Sequence, residues 1–391
     1  MVAENHAVSW KHLFQRALSA APDRLHMAAH SHHLWPDASL AGQQDAWADA
    51  ARLADRKWDR VMGEIWPRAQ AEVAAELGLP DPATVCFAPN THELIVRLVS
   101  AIERPRPLRV LASDGEFHSF RRQAARWAEA GEMLVETVPV EPAADFAARF
   151  RAAAEQGGHD LIFVSQVMFG SGLVIDDLAP LAALARPEGP WVVIDGYHGF
   201  MAVPTDLGPV ADRVFYLSGG YKYAMAGEGM GFIHAPPGFA PRPVVTGWYA
   251  AFDDLALPPG AVGHAPDARR FLGATFDPSG LYRFLAVRDM LAAEGLTTAR
   301  ISAHVALLRD RLLAGLAATP LGHADLLNPP GAGPAARFVA LRAPAAPGWQ
   351  QALIARDVIT DVRGDVLRIG LGLYHDAGDV DRFIAEAGRL G

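Results

Sequence analysis

Two stretches of the sequence, WVVID at 191–195 and VFYLSGGYKY at 214–223, decide how this chain is interpreted. Each begins with a short apolar run that is typical of a buried strand. The first run ends at Asp195, and Lys222 follows shortly after the second. In open α/β sheets, ligands bind beyond the carboxyl ends of the strands. We therefore expect Asp195 and Lys222 to converge on one ligand.

Other short apolar runs indicate the rest of the sheet. Most of them are separated by helix-length segments such as 120–130 and 144–156. This alternation predicts an α/β fold with a mostly parallel central sheet and helices on both faces. The further strand candidates lie at 84–87, 109–112, 134–138, 161–165 and 231–234.

The remaining segments predict the domain organisation. Helical spacing from 37 to 77, interrupted at Pro67, predicts two helices, and helical segments from 280 to 317 precede two more strand candidates. We expect a smaller C-terminal α+β domain. The predicted divisions are an N-terminal segment at 1–55, a large domain at 56–280 and a small domain at 281–391.

Charge and composition limit the possible partners. The 391 residues carry a net charge of -9 and no block of Lys or Arg, which argues against nucleic acid. The N-terminus lacks an apolar signal region, and no apolar run is long enough to span a membrane. The single cysteine, Cys86, fits a reducing compartment. We expect a soluble cytoplasmic protein.

Asp195 and Lys222 together fit the chemistry of pyridoxal 5'-phosphate (PLP). A lysine amine forms a Schiff base with the aldehyde, and a carboxylate keeps the pyridine nitrogen protonated so that the ring can accept electrons. The small residues at 218–220, with Tyr221 and Tyr223, allow close approach to a phosphate. The alternative is an Asp that forms a turn and a solvated Lys. Their joint occurrence favours the cofactor site.

These residues resemble those of the class V aminotransferases and, within them, the kynureninases, with similarity spread over 25–374. The family's Asp-x-x-His motif looks like Asp195 and His198. The resemblance implies that these two residues bind the pyridine nitrogen and support the cofactor. The family's Tyr-Lys pair looks like Tyr221 and Lys222, which implies a phosphate contact and the Schiff base. The resemblance as a whole also implies the PLP-dependent fold type I.

Two further motifs imply contacts with the cofactor. FAPNTHE at 87–93 resembles the family's phosphate-binding segment, which implies Asn90 and Thr91 as donors at a helix N-terminus. EFHS at 116–119 resembles the "NFP(S/T)D" segment, which implies that Phe117 stacks on the pyridine ring.

Some implied contacts come from a second subunit. The segment GWY resembles the family's Gly-Trp-Phe, and FLGAT resembles "FLxGT". Trp248 and Thr275 are therefore expected to reach the site across a homodimer interface. We also expect Ser119 and Ser165 among the cofactor contacts.

The substrate-binding residues are implied in the same way. LRIGLGLY resembles the family's C-terminal segment, so Arg368 is expected to clamp the α-carboxylate of an amino acid. The segment at 25–36 is similar to the family's N-terminal pattern, which implies His30 and Ser31 as contacts. His118 replaces the family's Pro and is expected to supply a polar group.

The histidines of the N-terminal segment also permit a metal interpretation. His26, His30, His32 and His33 lie close together. Their spacing does not match a standard zinc motif, and no Cys accompanies them. We therefore expect no metal.

Departures from the family leave the reaction open. Phe120 stands where the family has an acid, and the Gly-His after the family's tryptophan is missing. The favoured hypothesis is a kynureninase-like hydrolase or lyase that cleaves a Cβ–Cγ bond, with Tyr221 or Tyr223 as the acid. A class V aminotransferase is the alternative, and a non-catalytic binding protein is the second. A desulfurase is not expected, because Cys86 precedes the lysine in a strand-like context.

Overall fold

The computed structural model describes residues 9–254, 257–258, 260–331 and 333–390. The helices are α1 (Gln15–Ser19), α2 (Asp37–Leu53), α3 (Lys57–Arg60), α4 (Trp66–Leu77), α5 (Thr91–Ser100), α6 (His118–Glu129), α7 (Phe146–Gln156), α8 (Ala179–Ala182), α9 (Ser279–Ala293), α10 (Thr298–Leu316), α11 (Ala346–Ile354) and α12 (Ala377–Ala387). The strands are β1 (Leu25–His26), β2 (Val85–Ala88), β3 (Leu108–Ser113), β4 (Met133–Val138), β5 (Leu161–Ser165), β6 (Trp191–Asp195), β7 (Val214–Gly219), β8 (Gly231–His234), β9 (Asp325–Leu326), β10 (Phe338–Arg342), β11 (Val358–Ile359), β12 (Asp361–Arg363) and β13 (Val366–Gly370).

A seven-stranded sheet forms the centre of the molecule. Its order is β2-β8-β7-β6-β5-β3-β4, and β8 runs opposite to the other six strands. All five residues of β5 are buried, and so are the first four of β6. A strand buried on both faces needs cover on both sides, as in α/β folds. The predicted α/β fold with a mostly parallel sheet is confirmed.

A smaller antiparallel sheet, β12-β13-β10-β9, lies in the C-terminal part of the chain. The N-terminal segment joins this part, because β1 pairs with β11 and Ala28 forms a bridge with Gly370. Segments distant in sequence therefore meet near β13. The three-part domain division stays a prediction.

The helices at 37–77 differ from the prediction that Pro67 interrupts them. The first helix, α2, ends at Leu53, where Ala54 takes a positive φ of 48°. Pro67 is the second residue of α4, but the backbone reaches it in helical conformation from α3 through a π-helical turn at Val61–Ile65. The proline, which has no N–H to donate, therefore lies inside one helical stretch next to this turn, and the break between the two long helices falls at Ala54 instead.

Close packing of α2 on α9 supports the large sheet from outside. A Cβ added at Gly42 would lie 2.5 Å from the carbonyl oxygen of Tyr282. Glycine therefore allows the two helices to touch along their backbones. Asp49, also on α2, accepts a hydrogen bond of 2.9 Å from the Tyr282 hydroxyl and fixes the same contact.

Candidate active site

A cavity of about 250 Å³ lies beyond the carboxyl ends of the central strands. Its walls come from the ends of β5 and β6, the turn after β7, and the first turns of α5 and α6. The structure thus brings together most of the residues that the sequence predicts for the cofactor site. Those lining the cavity are Asn90, Thr91, Phe117, Ser119, Ser165, Asp195, His198, Tyr221 and Lys222.

Lys222 is the buried amine of this cavity, with 4% of the residue exposed. Its Nζ lies 2.7 Å from Nε2 of His198 and 4.7 Å from the ring centroid of Tyr197. Burial lowers the pKa of Lys222 to about 7, and the charge of Asp195 opposes the shift. Burial also holds the pKa of His198 well below its usual value, so the neutral ring can accept a hydrogen bond from the amine. Much of the lysine is therefore uncharged at neutral pH, which a nucleophilic amine requires.

Asp195 ends β6 in the same cavity. Its Oδ1 accepts a hydrogen bond of 2.9 Å from the backbone N–H of Tyr197. Burial raises the pKa of Asp195, while this N–H and the charge of Lys222 act in the opposite direction. A partly buried acid at the end of β6 and a buried amine in the turn after β7 thus line one cavity. This is the pairing that the sequence predicts.

The N-terminus of α5 provides the anion-binding part of the cavity. Asn90 caps the helix, and its side-chain oxygen accepts a 3.0 Å hydrogen bond from the N–H of Glu93. Thr91 begins the helix and lines the cavity. A Cβ at Gly231 would lie 2.6 Å from the carbonyl carbon of Asn90, so glycine lets β8 approach this turn closely. Free N–H groups at a helix N-terminus suit a phosphate.

Sequence reasoning missed Glu116, which is fully buried beside the cavity. Its carboxyl group accepts hydrogen bonds of 2.5 Å from the hydroxyls of Ser113 and Ser165. Burial raises its pKa to about 7. Its position directly before Phe117 was the available signal, but a charged residue in a turn is usually exposed. Tyr197, inside the Asp-x-x-His motif, was also missed.

Arg368 is buried on β13 and is already paired within the chain. Its guanidinium donates to Asp361 on β12 and to the carbonyl oxygen of Phe169. Its Nε has no hydrogen-bond partner among the described residues. A carboxylate from a substrate would therefore meet an arginine that keeps one buried donor free but already has a counterion.

His30 lies in the same buried region. Its ring is fully buried, stacks on Phe338 with centroids 4.8 Å apart, and lies 6.5 Å from the ring of His198. Neither ring nitrogen has a hydrogen-bond partner in the described part of the chain. Nε2 lies 3.8 Å from a carboxylate oxygen of Asp361. The ring of His30 and the Nε of Arg368, which have no hydrogen-bond partner among the described residues, therefore both belong to residues next to Asp361.

Six predicted site residues do not line the cavity: Arg368 and His30, described above, and Ser31, His118, Trp248 and Thr275. His118 faces a neighbouring surface cleft and packs against Phe169, with ring centroids 5.2 Å apart. The hydroxyl of Ser31 lies 3.3 Å from Nδ1 of His32. Trp248, 44% exposed, and the exposed Thr275 lie on the surface, as residues that act on a second subunit would. Their contacts with cofactor or substrate stay predictions.

The described residues offer neither a cluster of metal ligands nor a membrane-spanning helix. They contain no group of three or more His, Cys, Asp or Glu placed to hold a metal ion. None of their helices is long and apolar enough to cross a membrane.

Comparison with known proteins gives one curated relative. No protein-family model matches the chain. Isopenicillin N epimerase from Streptomyces clavuligerus is 28% identical over 364 residues, which cover 86% of this chain and 88% of that protein.

Solved structures share the fold over nearly the whole chain. One is a lysine-to-alanine mutant of C-DES with glycine covalently linked to its PLP cofactor, with a TM-score of 0.80, 18% identity, and coverage of 98% of this chain and 100% of that one. Another is the apo cysteine desulfurase from Thermococcus onnurineus NA1, with a TM-score of 0.80, 16% identity and 98% coverage of both chains. The chain therefore has the PLP-dependent fold type I that the resemblance predicted, and the finer likeness to kynureninases stays a prediction.

Proposed function

We propose that this chain is a PLP-dependent enzyme that transfers a proton at the α-carbon of an amino acid. The observation that carries this proposal is Lys222, a buried amine with a pKa of about 7 that faces Asp195 in a cavity at the strand ends. Burying a lysine is costly, and a protein that only binds ligands has no need for an amine that can form an imine. The curated relative and the solved structures are enzymes or carry PLP by their names.

The residues of the cavity fit the chemistry of PLP. Lys222 provides the amine for the aldehyde carbon, and the Asp195 carboxylate suits a protonated pyridine nitrogen. The N-terminus of α5, at Thr91, provides N–H donors for the phosphate. Phe117 lines the same cavity and offers a flat apolar face for the ring. The aldehyde, the pyridine nitrogen and the phosphate of the cofactor thus each have a matching group on this chain.

Lys222 has two tasks in the proposed reaction. When bound, PLP supplies an electron sink that weakens the bonds to Cα of an attached amino acid. The Lys222 amine would be the base that takes the proton from Cα of the bound amino acid. Its lowered pKa keeps it uncharged for this step, and His198 holds Nζ at 2.7 Å. The partly buried rings of Tyr197 and Tyr221 line the cavity and help to exclude water.

Proton transfer at Cα covers both epimerisation and transamination. The curated relative is named for epimerisation, which moves the Cα proton from one face to the other. Transamination returns the proton to the cofactor carbon instead. Both require the groups that the cavity contains. We infer that the substrate is an amino acid whose carboxylate reaches the free Nε of Arg368.

Cβ–Cγ hydrolysis of kynurenine or a related amino acid is a second candidate. Tyr221 supports it, because burial raises its pKa to about 12 and keeps its phenol protonated as an acid at the cavity wall. Tyr223 is a poorer acid for this role, since its hydroxyl donates to the carbonyl oxygen of Arg337 at 3.4 Å. Phe120 weighs against the candidate, because it stacks on Phe163 with centroids 3.8 Å apart where the family has an acid.

Persulfide transfer by a desulfurase is not supported by this chain. Its one cysteine, Cys86, is fully buried on β2. Burial raises the pKa of the thiol, so the thiolate that would attack a substrate is disfavoured. The activity in the names of the cysteine desulfurases among the structural neighbours therefore does not transfer to this chain.

A homodimer with shared sites is part of the proposal. Trp248 and Thr275 lie on one surface, held together by a hydrogen bond of 3.1 Å from the N–H of Tyr249 to the carbonyl oxygen of Gly273. Val244, 77% exposed, extends the apolar surface. Mixing two inactive variants, Lys222→Ala and Trp248→Ala, tests this: partial activity returns if each subunit completes its partner's site. If the mixture of the two variants stays inactive, the proposal of shared sites is contradicted.

The proposed reaction is tested by exchange of the Cα proton in D₂O. PLP-loaded protein is incubated with single amino acids, including L-kynurenine, L-alanine, L-aspartate and L-cysteine, and products are separated by chiral chromatography and mass spectrometry. We expect one amino acid to gain deuterium at Cα, and Lys222→Ala to abolish the exchange. Asp23, on the protein surface, provides a matched control through Asp23→Asn, which should exchange normally.

The products separate the candidates. Appearance of the opposite enantiomer indicates epimerisation, and a keto acid with the cofactor in its amine form indicates transamination. Anthranilate and alanine from L-kynurenine would establish the second candidate instead. Absence of exchange with every amino acid, in protein that has bound PLP, contradicts the proposal.

A further inference from the structure

Glu116 is a fully buried carboxyl group that the Cα chemistry does not use directly. It lies in the turn between β3 and α6 and connects the ends of β3 and β5. Ser165, at the end of β5, lines the cavity, whereas Glu116 does not. Any effect of Glu116 on a bound molecule is therefore transmitted through Ser165.

The hydrogen bonds of Glu116 determine where an added proton would lie. Oε1 accepts two bonds, from the Ser113 hydroxyl at 2.5 Å and from the Ser165 backbone N–H at 3.2 Å. Oε2 has the Ser165 hydroxyl as its neighbour, also at 2.5 Å. Because Oε1 already has two donors, protonation of the carboxyl group favours Oε2. The proton then lies between Glu116 and Ser165.

This position makes the Ser165 hydroxyl switch its role. A serine hydroxyl has one hydrogen to donate and two lone pairs. When Glu116 is ionised, Ser165 donates that hydrogen to Oε2 and offers only lone pairs to the cavity. When Glu116 is protonated, Oε2 donates to Ser165 Oγ, and the serine hydrogen can point into the cavity.

We propose that Glu116 is a positioning residue that lets Ser165 donate a hydrogen bond to the bound cofactor only when Glu116 carries a proton. The proposal rests on the proposed function, because the ligand concerned is PLP. PLP is anionic and rich in hydrogen-bond acceptors, so the state in which Ser165 donates binds it more tightly. Binding of PLP is thereby coupled to protonation of a buried acid that does not touch it.

Both protonation states are accessible near neutral pH. Burial and, to a smaller extent, the charge of Asp195 on β6 raise the pKa of Glu116, the hydrogen bonds from Ser113 and Ser165 lower it, and the result is a pKa of about 7. Lys222 faces Asp195 and titrates in the same range. The test must therefore compare variants that all keep Asp195 and Lys222.

Glu116→Gln and Ser165→Ala make such a pair. The glutamine amide fits in one orientation, with its oxygen toward the two donors on the Oε1 side and its NH₂ toward Ser165 Oγ. It thus fixes Ser165 in the donating state. Ser165→Ala removes the hydroxyl and keeps the acid. The measurement is the dissociation constant of PLP between about pH 6 and pH 8.5 for wild type and both variants.

The PLP affinity of wild type, divided by that of Glu116→Gln at the same pH, should fall by about tenfold as pH rises through the titration of Glu116. A tenfold change corresponds to the loss of about one hydrogen bond. Glu116→Gln should bind at high pH as wild type does at low pH. Ser165→Ala should bind at low pH as wild type does at high pH. If the PLP affinity of wild type and of both variants changes equally with pH, the proposal is overturned. If Glu116→Gln fails to fold, the comparison of wild type with Ser165→Ala decides in the same way.

Infrared spectra of PLP-free protein separate this proposal from the proposed function. The difference between the spectra of wild type and Glu116→Gln should contain the band of a protonated carboxylic acid that disappears as pH rises through neutrality, since Asp195 contributes equally to both spectra. A protein that shows this titration but binds no PLP refutes the proposed function alone. A protein that binds PLP but lacks the titrating band refutes the role of Glu116 alone.

Discussion

Replacing Glu116 by glutamine should change how the stability of the protein depends on pH. The side chain is fully buried, and burial raises its pKa from 4.5 to about 7. Below pH 4.5 the acid is protonated in both the folded and the unfolded chain. Between the two pKa values, only the folded chain holds the proton, so the free energy of unfolding falls as pH rises through this window.

The magnitude follows from the size of the pKa shift. Each pKa unit corresponds to about 1.4 kcal/mol, so a shift of this size makes wild type lose about 3 kcal/mol of stability between pH 4.5 and pH 7. Glutamine does not titrate and keeps similar hydrogen bonds to the two serines. The free energy of unfolding of Glu116→Gln should therefore exceed that of wild type by the largest amount at high pH, and this difference should shrink toward pH 4.5.

Urea unfolding of PLP-free wild type and Glu116→Gln, followed by circular dichroism at several pH values, measures this difference. Glu132→Gln, on the exposed turn before β4, controls for the loss of a negative charge. Its stability relative to wild type should change little over the same range. A difference between wild type and Glu116→Gln that stays constant from pH 4.5 to pH 8 would refute the reasoning, because it would mean that Glu116 is ionised throughout.

Three other substitutions test the site and its surroundings. Asp195→Asn removes the charge that holds the pKa of Lys222 up, so the rate of PLP attachment should reach its plateau at lower pH; a shift to higher pH would contradict this. Asp361→Asn leaves the buried Arg368 without its counterion and should lower the free energy of unfolding by about 3 kcal/mol in urea, whereas an unchanged midpoint would argue against the ion pair. Phe120→Ala removes a buried ring and should cost about 3 to 5 kcal/mol in the same assay; a loss below about 1 kcal/mol would show that the ring is not packed as described.

The strands of the main sheet could be predicted from the sequence because burial on both faces produces continuous apolar runs. The run at 161–165 coincides with β5, and the prediction for β6 differs from the structure only at its end. Strand direction could not be predicted in the same way. β8 is as apolar as its neighbours but runs antiparallel to them, and nothing in a run of four residues encodes its direction.

The cavity was predictable where chemistry and position coincide. Asp195 and Lys222 follow apolar runs, so the topology of an α/β sheet brings both to one edge. Glu116 was not predictable, since its burial depends on Ser113 and Ser165, which lie on neighbouring strands of the sheet that are separated in sequence by two helices and a third strand. Local patterns contain no record of such partners.

The pairing of Arg368 shows the same limit. An arginine in an apolar strand predicts a carboxylate partner, and the structure provides one from within the chain, Asp361 on the adjacent strand. Sequence reasoning expected the carboxylate partner of Arg368 to be the substrate. The unpartnered Nε of Arg368 and the unpartnered ring of His30 are consequences of tertiary packing alone.

The central claim, that Lys222 holds PLP, can be tested by chemical trapping. The chain has three lysines, Lys11, Lys57 and Lys222, so the possible attachment sites are few. Protein incubated with PLP is reduced with borohydride, digested and analysed by mass spectrometry. The account predicts phosphopyridoxyl modification at Lys222 and its loss in Lys222→Ala. Modification confined to Lys11 or Lys57, or equal at all three lysines, would contradict it.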